Sequence, residues 1–349
     1  MGVIPASQAR ALFTQGLVDV YREQVQTTAF LRSFFPTEEF GTKYLSVEVE
    51  RGFEKVAVDI LRGTEGQRNV FSKSTEKIWE PPLYKEFFDM TQLDVYDRLF
   101  TSTGDISDAD LGGLIAESAK RLMSLQQKIE RAYELQASQV LFDGITTLSA
   151  VESIDWKRKA GSLVDQSATT WLTNTNNPFT TLETGAQFIR TNGKSQGEVY
   201  NVIMAANVLT AFLGNTYVKE RSDILNFNLG NVNLPQRNSV GAAYHGRVSS
   251  GSYLFDIWTY PEEYTNSAGV ATGYIPTKKL TILPTNPRFK MAFAAVPQLI
   301  ESGVQNIRGA YKVSEYIDQR KATHEIEIQS AGLAIPVAVD QIFTAQVLA

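Results

Sequence analysis

The stretch Ser107–Gly144, SDADLGGLIAESAKRLMSLQQKIERAYELQASQVLFDG, reads as one uninterrupted helix and sets the scale of the molecule. Leu111, Ile115, Leu122, Leu125, Ile129, Ala132 and Val140 recur at three-to-four spacing, the period of an amphipathic helix. Ser107 and Asp110 stand as a capping box with Asp in place of the usual Glu. Glu117 and Arg121 form an i,i+4 pair in the favourable order, and Gly144 sits where a helix-ending glycine belongs. At 1.5 Å per residue the helix is about 50 Å long. That exceeds the width of a small domain, so it predicts an elongated molecule with one helix as its spine. Leu122, Leu125, Ile129 and Ala132 are its expected buried face, and Gly112 and Gly113 are expected to shorten it by a turn.

N-terminal to the spine lies a ribbon. Leu45, Val47 and Val49 alternate with Ser46, Glu48 and Glu50, and after Gly52 the apolar parity passes to Val56, Val58 and Ile60. This is one long strand with an irregularity at Gly52. Leu61 to Asn69 is a polar turn. Val70 to Trp79 returns as a second strand, which Pro81-Pro82 stops. A two-stranded ribbon alone in water is at best marginally stable, so something must cover Val56, Val58, Ile60 and Val70. The pattern leaves open whether the cover is this subunit or another. Residues 1–41 form an arm whose Phe30, Phe34 and Phe35 need a dry seat, on the arm's own domain or on a neighbour; Pro36 and Gly41 end it.

C-terminal to the spine, Trp156 to Lys159 reads as a short basic strand leading into a Ser/Thr/Asn-rich loop. Asn177 to Arg190 reads as a helix with Pro178 in its first turn. Glu198 to Ala205 is a buried strand followed by a helix through Phe212. Residues 226–250, rich in Asn and Gly, are expected as an exposed loop. Strands follow at Tyr253 to Tyr260 and Lys279 to Leu283, and Glu325 to Leu348 carries strand-like runs broken at Gly332 and Pro336. No 18-residue apolar run predicts a membrane span, and Met1 to Arg10 lack the pattern of a signal peptide.

Reactive chemistry is hard to find. The absence of cysteine removes disulfides, thiolate metal sites and a cysteine nucleophile. Gly193-Lys194-Ser195 ends like a phosphate loop, but position 188, where that motif needs glycine, is Phe; Asn192-Gly193 is better read as a helix-ending turn. Asp105, Asp108 and Asp110 lack calcium-loop spacing and suit a helix N-terminus. His245 and His324 stand apart without cysteine, which argues against zinc. No Gly-x-Ser-x-Gly elbow occurs. Lys157-Arg158-Lys159 fits a solvated face better than a phosphate site. No cofactor or metal is expected. Acidic residues outnumber basic ones, 38 to 33, and tight wrapping of nucleic acid needs the opposite balance.

Several segments resemble a known family. Phe30-Leu31-Arg32-Ser33-Phe34-Phe35 followed by Lys43-Tyr44-Leu45-Ser46 looks like the start of the lambda-type major capsid proteins of tailed phages, the E family. Val199 to Asp223, Ile328-Gln329-Ser330-Ala331 and the ending Phe343 to Ala349 are similar to it in the same order. The resemblance implies an α+β, HK97-like capsid fold. It implies an N-terminal arm (1–41), an extended E-loop (42–82), a peripheral domain on the spine helix (83–190), a mainly axial domain (191–310) and a C-terminal return to the peripheral domain (311–349). It further implies a shell subunit and not an enzyme. Its partners would be itself as hexamers and pentamers, a separate scaffold, a portal protein and a decoration protein, around double-stranded DNA held without sequence-specific contacts. The E-loop would lie across the adjacent subunit, and the arm's Phe30, Phe34 and Phe35 would make contacts. The lysines of the ribbon, Lys55, Lys73 and Lys77, are given no crosslinking role. An encapsulin-type nanocompartment is the alternative shell, and a hydrolase with a dispersed site is the reading from another class.

Overall fold

The computed structural model describes residues 29–49, 75–91, 108–148, 152–173, 176–195, 197, 199–225, 236–237, 241–266, 268–300, 303–318 and 323–349. Helix α1, Asp108–Phe142, runs for 35 residues. Gly112 and Gly113 lie inside it, so they do not shorten it as expected. It stops at Gly144, which takes φ +71 and returns its N–H to the Gln139 carbonyl at 2.9 Å. Without a Cβ, glycine adopts that left-handed turn at little cost. The Glu117–Arg121 pair forms at 2.8 Å.

The largest sheet has seven strands, in the order 163–165, 343–346, 279–284, 199–204, 253–259, 243–250, 236–237. Its two central strands, Val199–Met204 and Lys279–Pro284, are buried along most of their length, as near-continuous apolar runs require when both faces are covered. Adjacent residues show the two covers. Thr281 donates through its hydroxyl to the Leu141 carbonyl at the end of α1, at 3.3 Å. Ile282, on the opposite face, lies against Gly185 of helix α2, Pro178–Asn192. A Cβ at Gly185 would come within 2.6 Å of Ile282 and 2.7 Å of Phe343. The sheet is therefore held between the C-terminal end of α1 and α2. Asn177 caps α2 by accepting the Phe179 N–H, with Pro178 at its first turn. Helices α3, Ala206–Gly214, and α4, Thr216–Leu225, follow the central strand.

Two three-stranded sheets lie along α1. One joins Thr37–Glu39, Phe289–Phe293 and Gly332–Pro336; the other joins Lys312–Asp318, Thr323–Ser330 and Tyr84–Thr91. The ribbon's base pairs Leu45–Val49 with Thr75–Trp79, Leu45 opposite Trp79.

Several expectations fail for physical reasons. The segment 243–250, expected as loop, is a strand paired with 253–259 around a bulge between Tyr244 and Gly246. Its glycines masked an alternation that the bulge also breaks. The strand near 156–159 is instead Ser153–Asp155. Lys157 takes φ 54 and turns the chain, with Asp155 accepting its N–H at 2.8 Å. The arm does not end at Pro36: Thr37–Glu39 adds to a sheet, parallel to 291–293. Gly332 opens a strand and does not break one; its lack of a side chain admits Phe293 and Tyr133, each 2.8 Å from where a Cβ would stand.

Candidate functional site: the arm seat on the long helix

A helix turns about 100° per residue, so burial along α1 traces a stripe. Leu122, Gln126, Ile129, Tyr133, Ala137 and Val140 lie along its centre and are buried. Leu125 and Ala132 fall on one border and are half-buried. On the other border stand Glu130 and Glu134, both buried. The apolar spacing points to Leu122 and Ile129 but not to these carboxylates, which organise the seat.

Glu134 receives the arm. Its carboxylate accepts the N–H of Leu31 at 2.8 Å and that of Arg32 at 2.9 Å. The arm's 3-10 turn, Arg32–Phe34, leaves just such donors unpaired at its start. Burial pushes the Glu134 carboxyl up to about 7, against the pull of those two N–H groups and the Tyr260 hydroxyl. Arg32 pairs with Glu130, and Tyr311 donates to the same carboxylate. Burial alone would lower the Arg32 guanidinium, but Glu130 outweighs it and holds it above its ordinary value. The guanidinium also lies over the Tyr133 and Phe293 rings, at 5.6 and 5.7 Å. Such a buried pair is costly to break from one side, because the remaining charge is stranded.

The next turn of α1 holds the C-terminal strands. The Tyr133 hydroxyl accepts the Gly332 N–H at 3.1 Å. Gln136 donates to the Tyr84 hydroxyl at 2.8 Å and accepts the Ala334 N–H at 3.1 Å. Ser138 donates to the Tyr274 carbonyl. One helix thus ties residues from the arm, the strand after the ribbon, and the chain's end.

Phe30 and Phe35 are buried within the subunit. Phe30 packs on Trp258 and Tyr260, with ring centres 5.6 and 5.5 Å away, and on Phe34 at 5.4 Å. Phe35 stacks on Phe289 at 5.0 Å. Val56, Val58, Ile60 and Val70 lie outside the described residues.

Arg158 corrects the solvated reading of the basic cluster. Its guanidinium is partly buried and donates to the carbonyls of Leu141, Ser162 and Ile342 and to the Thr344 hydroxyl, at 2.9 to 3.1 Å. Burial pulls it down to about 9, so it stays charged at neutral pH. It collects carbonyls from the C-terminal end of α1, where the helix dipole favours a cation. Lys159 reaches Asn192 and Asp340. Among the described residues no group of three or more metal-ligating side chains occurs, and no helix is long and apolar enough to cross a membrane.

No curated protein matches the chain by sequence. Among solved structures, it is similar to a prophage capsid protein of Escherichia coli CFT073 (16% identity, all of both chains, TM-score 0.59). It is also similar to a phage-related protein of Bordetella bronchiseptica RB50 (12% identity, 95% of both chains, TM-score 0.52). The fold is the HK97-like α+β capsid fold. The model of the family "phage major capsid protein E" matches residues 18–347. Fold and match together make this a shell-forming subunit of a phage head: the chain belongs to the phage major capsid protein E family.

Proposed function

We propose that the chain assembles, as hexamers and pentamers, into an icosahedral head shell around double-stranded DNA. The family match over nearly the whole chain carries this reading. Residues 1–41 serve as the arm, 42–82 as an E-loop laid across the adjacent subunit, and 83–190 as a peripheral domain built on α1. Residues 191–310 are mainly axial, and 311–349 return to the peripheral domain. The bonds from α1 to residues 31–32, 84 and 332–334 support this division, because they make α1 the common wall of segments distant in sequence. Many modest contacts acting together hold such a shell. A net charge of -5 suits a container that does not grip its genome. The subunit has no catalytic role. A separate scaffold guides assembly in the host cytoplasm, and portal and decoration proteins complete the head. Sedimentation velocity and negative-stain microscopy of the expressed chain, alone and with scaffold, test the proposal. Capsomers, tubes or shells are expected; a monomer at the chain mass of 38.8 kDa under every condition overturns it.

A further inference from the structure

The sheet 312–318, 323–330, 84–91 turns one face to α1, through Tyr84, Glu86 and Phe88 with Ile326 and Ile328. Strand alternation sends the other residues to the opposite face. The register arranges these as three rows. Lys85, Gln329 and Lys312 form the first, Phe87, Glu327 and Ser314 the second, and Asp89, Glu325 and Tyr316 the third. The first row carries two cations and the third two carboxylates. Phe87, in the middle row, is 54% exposed, and Tyr316 is 40% exposed. Lys85 and Asp89 are exposed as well.

The middle row is poised between partners. Glu327 is buried; one oxygen lies 2.6 Å from Lys85 Nζ and the other accepts from Gln329. Lys312, on the far column, is left with its buried ammonium unpartnered among the described residues, as is the Ser314 hydroxyl. One carboxylate thus serves the exposed lysine while the buried one goes without. Burying an unpaired charge is unfavourable, so this arrangement favours any partner that draws Lys85 away and leaves Glu327 to Lys312.

We propose that this face binds the same face of a second copy of the chain, about a two-fold axis running along the row Phe87–Glu327–Ser314. Rotation about that axis keeps each column and exchanges the outer rows. Lys85 then meets Asp89 of the second copy, and Phe87 meets its counterpart. The two Glu327 carboxylates face each other across the axis, each neutralised by Lys312 of its own chain. A two-fold contact needs such a self-complementary patch, and matched charges fix its register. The inference rests on the chain being a shell subunit.

The test uses the full chain. It has no cysteine, so Phe87→Cys supplies one thiol per subunit. In shells of that variant treated with diamide, disulfide-linked dimers are expected. Lys85→Asp alone and Asp89→Lys alone, each shown folded by circular dichroism, should form about tenfold fewer shells. Mixing the two variants should restore the yield, because each then meets its opposite. Shells of the Phe87→Cys variant that do not crosslink, single charge variants that assemble normally, or a mixture that does not recover overturn the inference while the shell function stands. If the wild-type chain forms no assembly at all, the function reading fails and the inference falls with it.

Discussion

The Glu134 carboxylate in the middle of α1 accepts the Leu31 N–H at 2.8 Å, joining residues 103 positions apart. Its other oxygen holds the next N–H, that of Arg32. The chain leaving toward the N-terminus is therefore aimed by one side chain of the long helix, not by its own aromatic residues alone.

Glu134→Gln should expose this dependence. An amide offers one oxygen and one NH2 where two backbone donors point, so one N–H loses its acceptor, at a cost of about 1–3 kcal/mol. The pH profile gives a second signature. The folded carboxyl titrates near 7, above its ordinary 4.5. A raised carboxyl contributes stability that is full below about 4.5 and lost as pH rises through 7. Denaturant titrations of the assembly-blocked subunit from about pH 4.5 to 8 should show that loss in the wild type and a flatter profile in the variant. Equal slopes would remove Glu134 as the titrating group.

Arg158→Met keeps much of the volume and deletes the donors. The carbonyls of Leu141, Ser162 and Ile342 then lose a shared partner at the junction of α1, the turn near residue 160 and the final strand. Each buried group left unsatisfied costs about 1–3 kcal/mol, so a large fall in unfolding midpoint is expected. Lys157→Met, at an exposed side chain whose ammonium pairs with the neighbouring Asp155, should change little. A comparable loss in both variants would contradict this division of labour.

Gly185→Ala tests the packing of α2 on the large sheet. The added methyl would sit 2.6 Å from Ile282 and 2.7 Å from Phe343, too close without displacing the helix. Overpacking of this kind costs about 1–3 kcal/mol, even though alanine is the better helix former. A variant as stable as the wild type would show that the helix slides freely on the sheet.

Repeated spacing made α1, α2 and the central strands legible, because each buries a regular face. The seat on α1 was not legible in the same way. Glu130 and Glu134 border the apolar stripe, and a carboxylate there looks like solvent-facing charge until its partners from residues 31, 32 and 311 are in place. Two acidic residues at i and i+4 beside a stripe containing Tyr133 were the available signal. Arg158 hid for the same reason: its acceptors are backbone carbonyls from three segments, which no side-chain pattern announces. The strand 243–250 was obscured by its bulge at Gly246, and Thr37–Glu39 by its shortness.

Ala132→Pro addresses the continuity of α1. Proline removes a backbone donor and clashes with the preceding turn, costing about 3 kcal/mol or more in a helix interior. Ala132 lies within one turn of both Glu130 and Glu134, so a kink there also pulls the seat from the arm. Insoluble protein or failed assembly is expected, read by solubility and sedimentation. Normal shells would show that the helix need not be continuous at this point.

The ribbon supplies the last prediction, which separates a shell subunit from a self-contained monomer. Val56, Val58 and Ile60 share one strand parity, and the base of the ribbon is already paired, Leu45 with Trp79. If that face packs on an adjacent subunit, each side chain contributes roughly 1.5–3 kcal/mol there by leaving water. Val56→Asp with Val58→Asp should then abolish assembly and leave the subunit folded. If the face were instead buried within its own subunit, two unpaired carboxylates would be placed in the core, and the fold itself would be lost. Circular dichroism distinguishes folded from unfolded, and sedimentation velocity distinguishes subunit from shell. A folded, unassembled subunit is the expected result; an unfolded chain, or shells of ordinary size and yield, would refute the proposed role of the ribbon.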